Sequence, residues 1–207
     1  MRFVVIGAGG FSCEVADMLD MLGHEIVAFL DARVTESMHS TTGRPVVRSL
    51  ENLAFDAAVI AIGDVNIREK YLSLQDTGVA FPPLIHPTAF VSPGALLGPG
   101  VVVMNNAVIS ARANVGSGTL INVAAYVAHD CVLGACTHLA SGVRLGGATR
   151  VGDRCLCGTN AVVLPGVVVG DDVTCGAGAV VTSDVASGLT VAGVPARPLV
   201  TGKASDE

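Results

Sequence analysis

The segment "LINVAAYVAHDCVLGACTHLASGVRLGG", residues 120–147, places an aliphatic side chain at every sixth position. The same phase continues without a break from residue 85 to residue 181, and all seventeen residues in it are apolar. At the 51% apolar content of this chain, chance gives such a run about once in 10⁵ for a chosen phase. The residues in phase are Ile85, Val91, Leu97, Val103, Ile109, Val115, Ile121, Val127, Leu133, Leu139, Leu145, Val151, Cys157, Val163, Val169, Cys175 and Val181.

A period of six matches neither an α-helix nor an alternating strand, but it is typical of a solenoid with one side and one corner per hexad. Three hexads form a triangular coil of about 18 residues, with the aliphatic residue inside. The residue four positions later is usually small, as at Ala125 and Cys131, and is expected near the corner. A glycine often follows the aliphatic residue directly, as at Gly134 and Gly146, and is expected to permit strained turn dihedrals. We expect five to six coils, capped by residues 186–200.

The first 80 residues have a different pattern, which predicts a small parallel α/β domain. The strands are expected in "RFVVI", "EIVAFLD" and "DAAVIAIGD", the first two separated by a helix that ends at Gly23. A second helix is expected in "NIREKYLSLQD". The sequence therefore predicts a Rossmann-like α/β domain over residues 1–80 and a β-solenoid with a carboxy-terminal cap over residues 81–207.

The glycine turn after the first strand, with Gly7, Gly9 and Gly10, opens a helix and can direct backbone N–H groups at a phosphate. Asp31 ends the next strand, where a carboxylate can accept from a ribose hydroxyl. A complete dinucleotide fold has two such halves, and Ser12 stands where its third glycine belongs. We therefore favour a single nucleotide, such as the uridine part of a nucleotide sugar. The alternative is a turn that merely connects strand to helix.

Composition excludes several classes of function. The net charge of −6 argues against a nucleic-acid surface, and no apolar run reaches the roughly 20 residues that cross a bilayer. We expect a cytoplasmic protein without a signal peptide. The six cysteines form no C-x-x-C pair, so they are expected to be buried thiols without a metal. His86, in the proline-rich connection between the domains, is expected to be structural.

His129 and Asp130 are the third and fourth residues of their hexad, positions that face outward near a corner. One coil before and after, Ala111 and Gly147 occupy the position of His129, so the imidazole has small neighbours. The adjacent carboxylate can orient the ring and select its tautomer. The alternative is a solvated surface histidine.

Several motifs in order along nearly the whole chain resemble the PglD/NeuD-type sugar acetyltransferases of the hexapeptide-repeat family. They are the glycine turn, "FLD", "AIGDVNIR", "IHPTAFVSP", the segment of residues 120–147, and "VAGVPAR". The resemblance implies a left-handed parallel β-helix, acetyl-CoA as co-substrate, and a homotrimer with the CoA groove between adjacent solenoids. It departs at Phe11, where many relatives have histidine, and at Asp130, where some have glutamate.

The resemblance also implies roles for individual residues. His129 would be the general base and Asp130 the carboxylate that positions it. Asn122 and His138 would line the acetyl and sugar site, and the Gly147 N–H would donate to the thioester carbonyl. The nucleotide pocket would contain Asp31, Gly63 and Arg68 together with the glycine turn. Arg197 and Lys203 are candidates for the CoA phosphates.

We thus expect an acetyl-CoA-dependent N-acetyltransferase for a nucleotide-linked amino sugar of the UDP-4-amino type, acting by direct transfer in bacterial glycan biosynthesis. A neutral imidazole, with an ordinary pKa of about 6.5, can accept the amine proton near neutral pH. The alternatives are an O-acetyltransferase of sialic acid or a related sugar, and a nucleotide-sugar-binding scaffold without catalysis. A solenoid carbonic anhydrase would need three zinc histidines, and a covalent route would need Cys131 or Cys136.

Overall fold

The computed structural model describes residues 1–33 and 35–199. Its amino-terminal part is a four-stranded parallel sheet in the order β3-β2-β1-β4, with two helices. The elements are β1 Arg2–Ile6, α1 Gly10–Met21, β2 Glu25–Leu30, β3 Val46–Val47, β4 Ala57–Ile60, α2 Val65–Leu72 and a 3-10 helix Ser73–Thr77. The three predicted strands and two helices are present. The edge strand β3 was not predicted, because two residues carry no readable alternation.

Burial explains why these elements form. β1 and β4 are almost entirely buried, which is typical of central parallel strands covered on both faces. Helix α1 buries Val15, Met18 and Leu19 against this sheet. The helix ends as predicted at Gly23, whose φ of +70° lets the His24 N–H reach the Leu19 carbonyl at 2.9 Å.

The remainder of the chain is a parallel β-solenoid whose seventeen two-residue strands follow the predicted period. From β5 to β18, each strand pairs in parallel with the strand 18 residues further on, as Leu120 does with His138. The strands are β5 Leu84–Ile85, β6 Phe90–Val91, β7 Leu96–Leu97, β8 Val102–Val103, β9 Val108–Ile109, β10 Asn114–Val115, β11 Leu120–Ile121, β12 Tyr126–Val127, β13 Val132–Leu133, β14 His138–Leu139, β15 Arg144–Leu145, β16 Arg150–Val151, β17 Leu156–Cys157, β18 Val162–Val163, β19 Val168–Val169, β20 Thr174–Cys175 and β21 Val180–Val181. The three-sided coil of 18 residues is confirmed.

Three sheets form the faces of the prism. The first face contains β5, β8, β11, β14, β17 and β20, the second contains β6, β9, β12, β15, β18 and β21, and the third contains β7, β10, β13, β16 and β19. At the carboxy-terminal end of the described residues, β22 Thr190–Ala192 joins the first face in parallel, and β23 Arg197–Pro198 adds to it antiparallel.

The aliphatic residue of every hexad is the second residue of its strand. From Val103 to Val181 these side chains are buried in one continuous core, whereas Ile85, Val91 and Leu97 in the first coil are half-buried. The first coil has a stacking neighbour on one side only, which explains the difference. Polar residues in the small inward position are satisfied locally, as when the Thr137 hydroxyl donates to the Gly152 carbonyl at 2.7 Å.

The glycines that follow the aliphatic residue do not have the role that the sequence suggested. Their φ angles are not positive; instead, a Cβ at Gly116 would lie 2.5 Å from the Gly134 carbonyl carbon of the next coil. A Cβ at Gly146 would lie 2.5 Å from the Pro165 nitrogen. Glycine is required here because consecutive coils approach closely. The left-handed backbone lies two residues further on, where Asp130 has a φ of +63°.

The α/β part packs on the first face of the solenoid. The outward side chains Leu84, Val102 and Leu120 are buried in the same cluster as Phe3 and Met18. The next outward residue in that column is His138, at the margin of the covered area. Among the described residues, no helix has the length and apolar character needed to span a membrane.

Candidate active site

His129 and Asp130 lie on the corner that connects β12 on the second face to β13 on the third. The His129 side chain is 63% exposed, and its Nδ1 lies 2.7 Å from Asp130 Oδ2. The ionised carboxylate only accepts, so the Nδ1 of a neutral ring carries the proton and Nε2 is left as a bare acceptor. Although an aspartate stands where some relatives have glutamate, the shorter side chain reaches the ring.

Arg112, one coil earlier, holds the same carboxylate and was not predicted from the sequence. Its Nε lies 2.6 Å from Asp130 Oδ1, and a terminal nitrogen lies 2.8 Å from Oδ2. Hydrogen bonds from Arg112 and then His129 lower the pKa of Asp130 to about 2. Asp130 is therefore an anion at neutral pH. The 18-residue separation of Arg112 and Asp130, one full coil, is the sequence signal that could have revealed this pair.

Gly147 lies beside the His129 ring, one coil later. A Cβ on Gly147 would stand 2.7 Å from His129 Cε1 and 2.8 Å from Nε2, so only glycine leaves room for the imidazole. The Gly147 carbonyl accepts from the Gly166 N–H at 2.9 Å. In the hydrogen bonds found among residues 1–33 and 35–199, the Gly147 N–H donates to no group. Gly147 therefore lies against the edge of the ring that carries Nε2, and its own N–H is not used elsewhere among the described residues.

The two cysteines considered as nucleophiles are buried. Cys131 points into the prism, where its thiol donates to the Gly146 carbonyl at 3.1 Å. Burial raises the pKa of both the Cys131 and the Cys136 thiol. A thiolate, the reactive form, is disfavoured at both positions.

A second cluster lies on the first face, where the solenoid meets the α/β part. His138 Nδ1 is 3.1 Å from the Gly63 carbonyl, to which it donates, and its Nε2 is buried without a partner among the described residues. Burial, and then the charge of Arg68, lower the pKa of His138 to about 4, so the ring is neutral near pH 7. Asn122 directly follows β11, the strand paired with β14, and its side-chain oxygen accepts from the Val123 N–H at 2.7 Å.

Arg68 lies at the contact between α2 and the solenoid. We expected it in the nucleotide pocket, but its side chain is 1% exposed and donates to the carbonyls of Gly118 in the solenoid and Ile62. Its Nε has no hydrogen-bond partner in the described part of the chain, and burial lowers the pKa of Arg68 to about 10. Helix α2 directs this side chain at the solenoid rather than at the glycine turn, so Arg68 joins the two parts of the chain.

The glycine turn is open to solvent at the amino terminus of α1. Gly7 has a φ of +110° and packs tightly on the Ala61 carbonyl. By contrast, a Cβ on Gly9 or Gly10 would meet no atom within 4 Å. The packing of the protein therefore explains the glycine at position 7 and leaves those at 9 and 10 unexplained.

Asp31 borders a cavity of about 120 Å³ next to this turn, lined also by Arg33, Ile62, Ile67 and Tyr71. Its carboxylate accepts from the Ala8 N–H at 3.3 Å and from the exposed Arg33 side chain at 3.2 Å. The bond from Arg33 is the main reason that the pKa of Asp31 is lowered. A ligand hydroxyl that reaches Asp31 must therefore compete with Arg33.

Three further residues have structural contacts: Ser12, Phe11 and His86. Ser12 is buried, donates to the Gly9 carbonyl, and contacts Nε2 of His39 at 3.0 Å. His39 was not singled out from the sequence; it stacks on Phe29 with ring centroids 3.9 Å apart. Phe11 packs against the α/β core, and His86 accepts from the Thr88 N–H and hydroxyl, as its structural assignment predicted.

Arg197 lines a cavity of about 600 Å³ at the cap and donates to the Ala196 carbonyl. Lys203 lies outside the described residues. Within those residues, no group of three histidine, cysteine or acidic side chains is arranged to hold a metal ion.

The candidate residues thus form separate groups within one chain. His129, Asp130 and Gly147 meet at the corner between the second and third faces. His138, Asn122 and the α/β part lie on or beside the first face, which is opposite that corner in a triangular cross-section.

Known proteins and protein families share this architecture. Residues 2–73 match the family described as the PglD N-terminal domain, and residues 148–183 match the hexapeptide repeat of succinyl-transferase. A variant of perosamine N-acetyltransferase from Caulobacter crescentus, in complex with CoA and GDP-perosamine, is 36% identical over 96% of this chain and 97% of that chain, with a TM-score of 0.91.

Two further structures are similar over the whole length. The acetyltransferase domain of PglB from Neisseria gonorrhoeae FA1090 is 41% identical over 96% of this chain and 99% of that one, with a TM-score of 0.89. WeeI from Acinetobacter baumannii AYE is 29% identical over 96% and 100%, with a TM-score of 0.88.

Fold and similarity together define a hexapeptide-repeat acyltransferase. The chain belongs to the PglD/NeuD-type family of sugar acetyltransferases, and its co-substrate is acetyl-CoA. The fold and the enzyme class expected from the sequence are confirmed.

Proposed function

We propose that this enzyme transfers the acetyl group of acetyl-CoA to the amine of a nucleotide-linked amino sugar, with His129 as general base. The observation that carries the proposal is the corner geometry: a bare Nε2, set by the 2.7 Å contact of Nδ1 with Asp130, lies against Gly147, whose N–H makes no hydrogen bond among the described residues. The similar Caulobacter enzyme is an N-acetyltransferase whose structure contains CoA and GDP-perosamine, which supports this substrate class.

The chemistry follows from the two groups. The amine nitrogen attacks the thioester carbon while Nε2 takes its proton, and the Gly147 N–H donates to the developing oxyanion. The carbon–sulfur bond then breaks, CoA leaves as the thiol with a proton supplied by the imidazolium, and the sugar holds an amide. General-base assistance contributes about 10²–10⁴-fold, and one oxyanion donor about 3 kcal/mol.

Direct transfer between the two bound substrates fits the described residues better than a covalent intermediate. The thiol of Cys131 is inside the prism and that of Cys136 is 1% exposed. Burial raises the pKa of both thiols, so neither is a ready nucleophile. Holding both substrates together supplies the remaining acceleration.

The nucleotide is proposed to bind at the glycine turn. Gly9 and Gly10 leave open space at the amino terminus of α1, where backbone N–H groups and the helix dipole favour a diphosphate. The ribose would lie toward Asp31, displacing the exposed Arg33 side chain. Residues 1–80 would thereby present the sugar, and residues 81–207 would acetylate it. A cytoplasmic location would supply both substrates.

We propose a homotrimer because, within one chain, the proposed nucleotide site and His129 lie on different sides of the solenoid. The α/β part covers the first face, whereas His129 is on the opposite corner, so a sugar held by one chain would meet the His129 of a neighbour. The second face presents Phe90 and Tyr126 with exposures of 58% and 36%, an apolar surface that adjoins the His129 corner.

The proposal is tested by incubating the full chain with acetyl-CoA and either GDP-perosamine or a UDP-4-amino sugar, and following release of the CoA thiol. We expect a product with one added acetyl group that survives mild alkali, as an amide does. An alkali-labile product would identify an ester and favour the O-acetyltransferase alternative. Binding of both ligands without thiol release would favour the non-catalytic alternative.

A further inference from the structure

Asp130 is held from two sides on an exposed corner. Arg112 contacts both carboxylate oxygens at 2.6 and 2.8 Å, and His129 Nδ1 contacts Oδ2 at 2.7 Å. Oδ2 is therefore shared between the guanidinium and the imidazole. The three side chains form one chain of charge-assisted hydrogen bonds from the preceding coil to the candidate base.

We propose that Arg112 is a positioning residue for the candidate base: it fixes the Asp130 carboxylate in the orientation that holds the His129 ring, and it neutralises that carboxylate. The inference rests on the proposed function of His129. Arg112 itself is not expected to touch the reacting atoms.

The orientation step follows from geometry. The Asp130 side chain is 37% exposed, and nothing in the apolar core holds it. One hydrogen bond to His129 leaves a carboxylate free to rotate, whereas a two-point contact with a planar guanidinium fixes its plane. With the plane fixed, a lone pair of Oδ2 stays directed at Nδ1, and the tautomer with a bare Nε2 is favoured.

Arg112 also sets the net charge next to the His129 imidazole. Asp130 on the same corner and Arg112 on the preceding coil are ionised, while the following coil presents Gly147 and Ala148, which carry no charge. An unpaired carboxylate 2.7 Å from Nδ1 would leave an uncompensated negative charge beside the ring. Arg112 offsets that charge, so the ring keeps its orienting bond and remains available as a base.

A second pair has the same register without a histidine. Arg154 contacts both oxygens of Asp172, one coil later, at 2.8 and 2.9 Å, and both residues have positive φ as Arg112 and Asp130 do. Arg154 also bonds to Glu69 on α2. In this pair the arginine–aspartate contact only links two coils, because no histidine in the described part of the chain bonds to the carboxylate. The pair therefore supplies a matched control for Arg112 and Asp130.

The test is nitrogen NMR on the full chain labelled with ¹⁵N-histidine, since the ring shifts report which nitrogen carries the proton. The chain has five histidines, and His129→Gln assigns the relevant signal. In Arg112→Gln we expect the Nδ1–H tautomer of His129 to lose its dominance. Arg154→Gln should leave the tautomer of His129 unchanged.

Arg112→Lys separates the two effects and guards against misfolding of the glutamine variant. Lysine keeps the positive charge as a single point but loses the planar two-point contact, so we expect a mixture of tautomers. In assays with acetyl-CoA and GDP-perosamine, Arg112→Gln should lower kcat about tenfold at pH 7 and change KM for acetyl-CoA less than twofold.

An Arg112→Gln spectrum in which the His129 tautomer matches wild type would overturn the inference and leave Arg112 as a link between coils. Because this readout needs no turnover, it is distinct from failure of the proposed function, in which His129→Gln would remain active.

Discussion

Gly147 and His129 occupy the same corner position in consecutive coils, and the imidazole lies in the space that a Gly147 side chain would fill. A Cβ at position 147 would lie 2.7 Å from His129 Cε1, which is closer than two non-bonded carbon atoms approach each other. The shape of the candidate base site is thus built into the stacking of two coils. The N–H of Gly147 makes no hydrogen bond within residues 1–33 and 35–199.

Gly147→Ala is therefore expected to displace the ring while preserving the solenoid. We expect kcat/KM to fall by at least about 100-fold, because both the base and the oxyanion donor are disturbed. Gly94→Ala is the control on the same edge of the prism, since its Cβ would lie 3.9 Å from the nearest atom. Equal activity of the two variants in a thiol-release assay would show that the corner at residue 147 is not part of the site.

Gly10→Ala should change stability and nucleotide binding in opposite directions. Alanine fits the open space, and its higher helix propensity should stabilise α1 by up to about 1 kcal/mol. The added methyl group would obstruct a diphosphate, so we expect GDP and UDP to bind at least tenfold more weakly by calorimetry. Unchanged affinity for both would argue against a phosphate at this turn.

His138 should make the protein less stable in mild acid. Its pKa is lowered from about 6.5 in the unfolded chain to about 4 in the folded chain, so its contribution is complete above pH 6.5 and is lost as the pH falls toward 4. The total amounts to about 3 kcal/mol. His138→Asn should remove this dependence in urea unfolding at pH 7 and pH 5. If the two proteins lose stability in parallel, the ring is not buried as described.

Gly116→Ala tests the close approach of coils. The Cβ would meet backbone atoms of Gly134 at 2.5 Å, and backbone in a stacked coil cannot move aside. We expect a loss of roughly 3 kcal/mol in unfolding free energy, or failure to fold. Thermal melts against Gly94→Ala give the comparison; coincident melting curves would mean that the coils are further apart than described.

The sequence predicted the solenoid well because a strict period leaves one way to bury seventeen apolar side chains. It misassigned the glycines after those residues, since contact between coils is not visible in a local pattern. Arg112 was missed for the same reason: its partner Asp130 becomes a neighbour only once the 18-residue coil is known. His39 and the burial of Arg68 depend on how loops and α2 pack, which no local signal encodes.

The resemblance to sugar acetyltransferases singled out His129, and the structure adds what surrounds it. No pattern in the sequence indicates that the ring shares a carboxylate with an arginine or that the Gly147 N–H is free. Both follow from the register of stacked coils.

The most direct measurement compares the initial rate of CoA release by wild type and His129→Gln at saturating acetyl-CoA and GDP-perosamine, at pH 7.5. Glutamine keeps the polarity and approximate size of the ring but cannot accept the amine proton. The account predicts a rate lower by about 10²–10⁴-fold with both ligands still bound. A glutamine variant that turns over as fast as wild type would remove His129 from the chemistry.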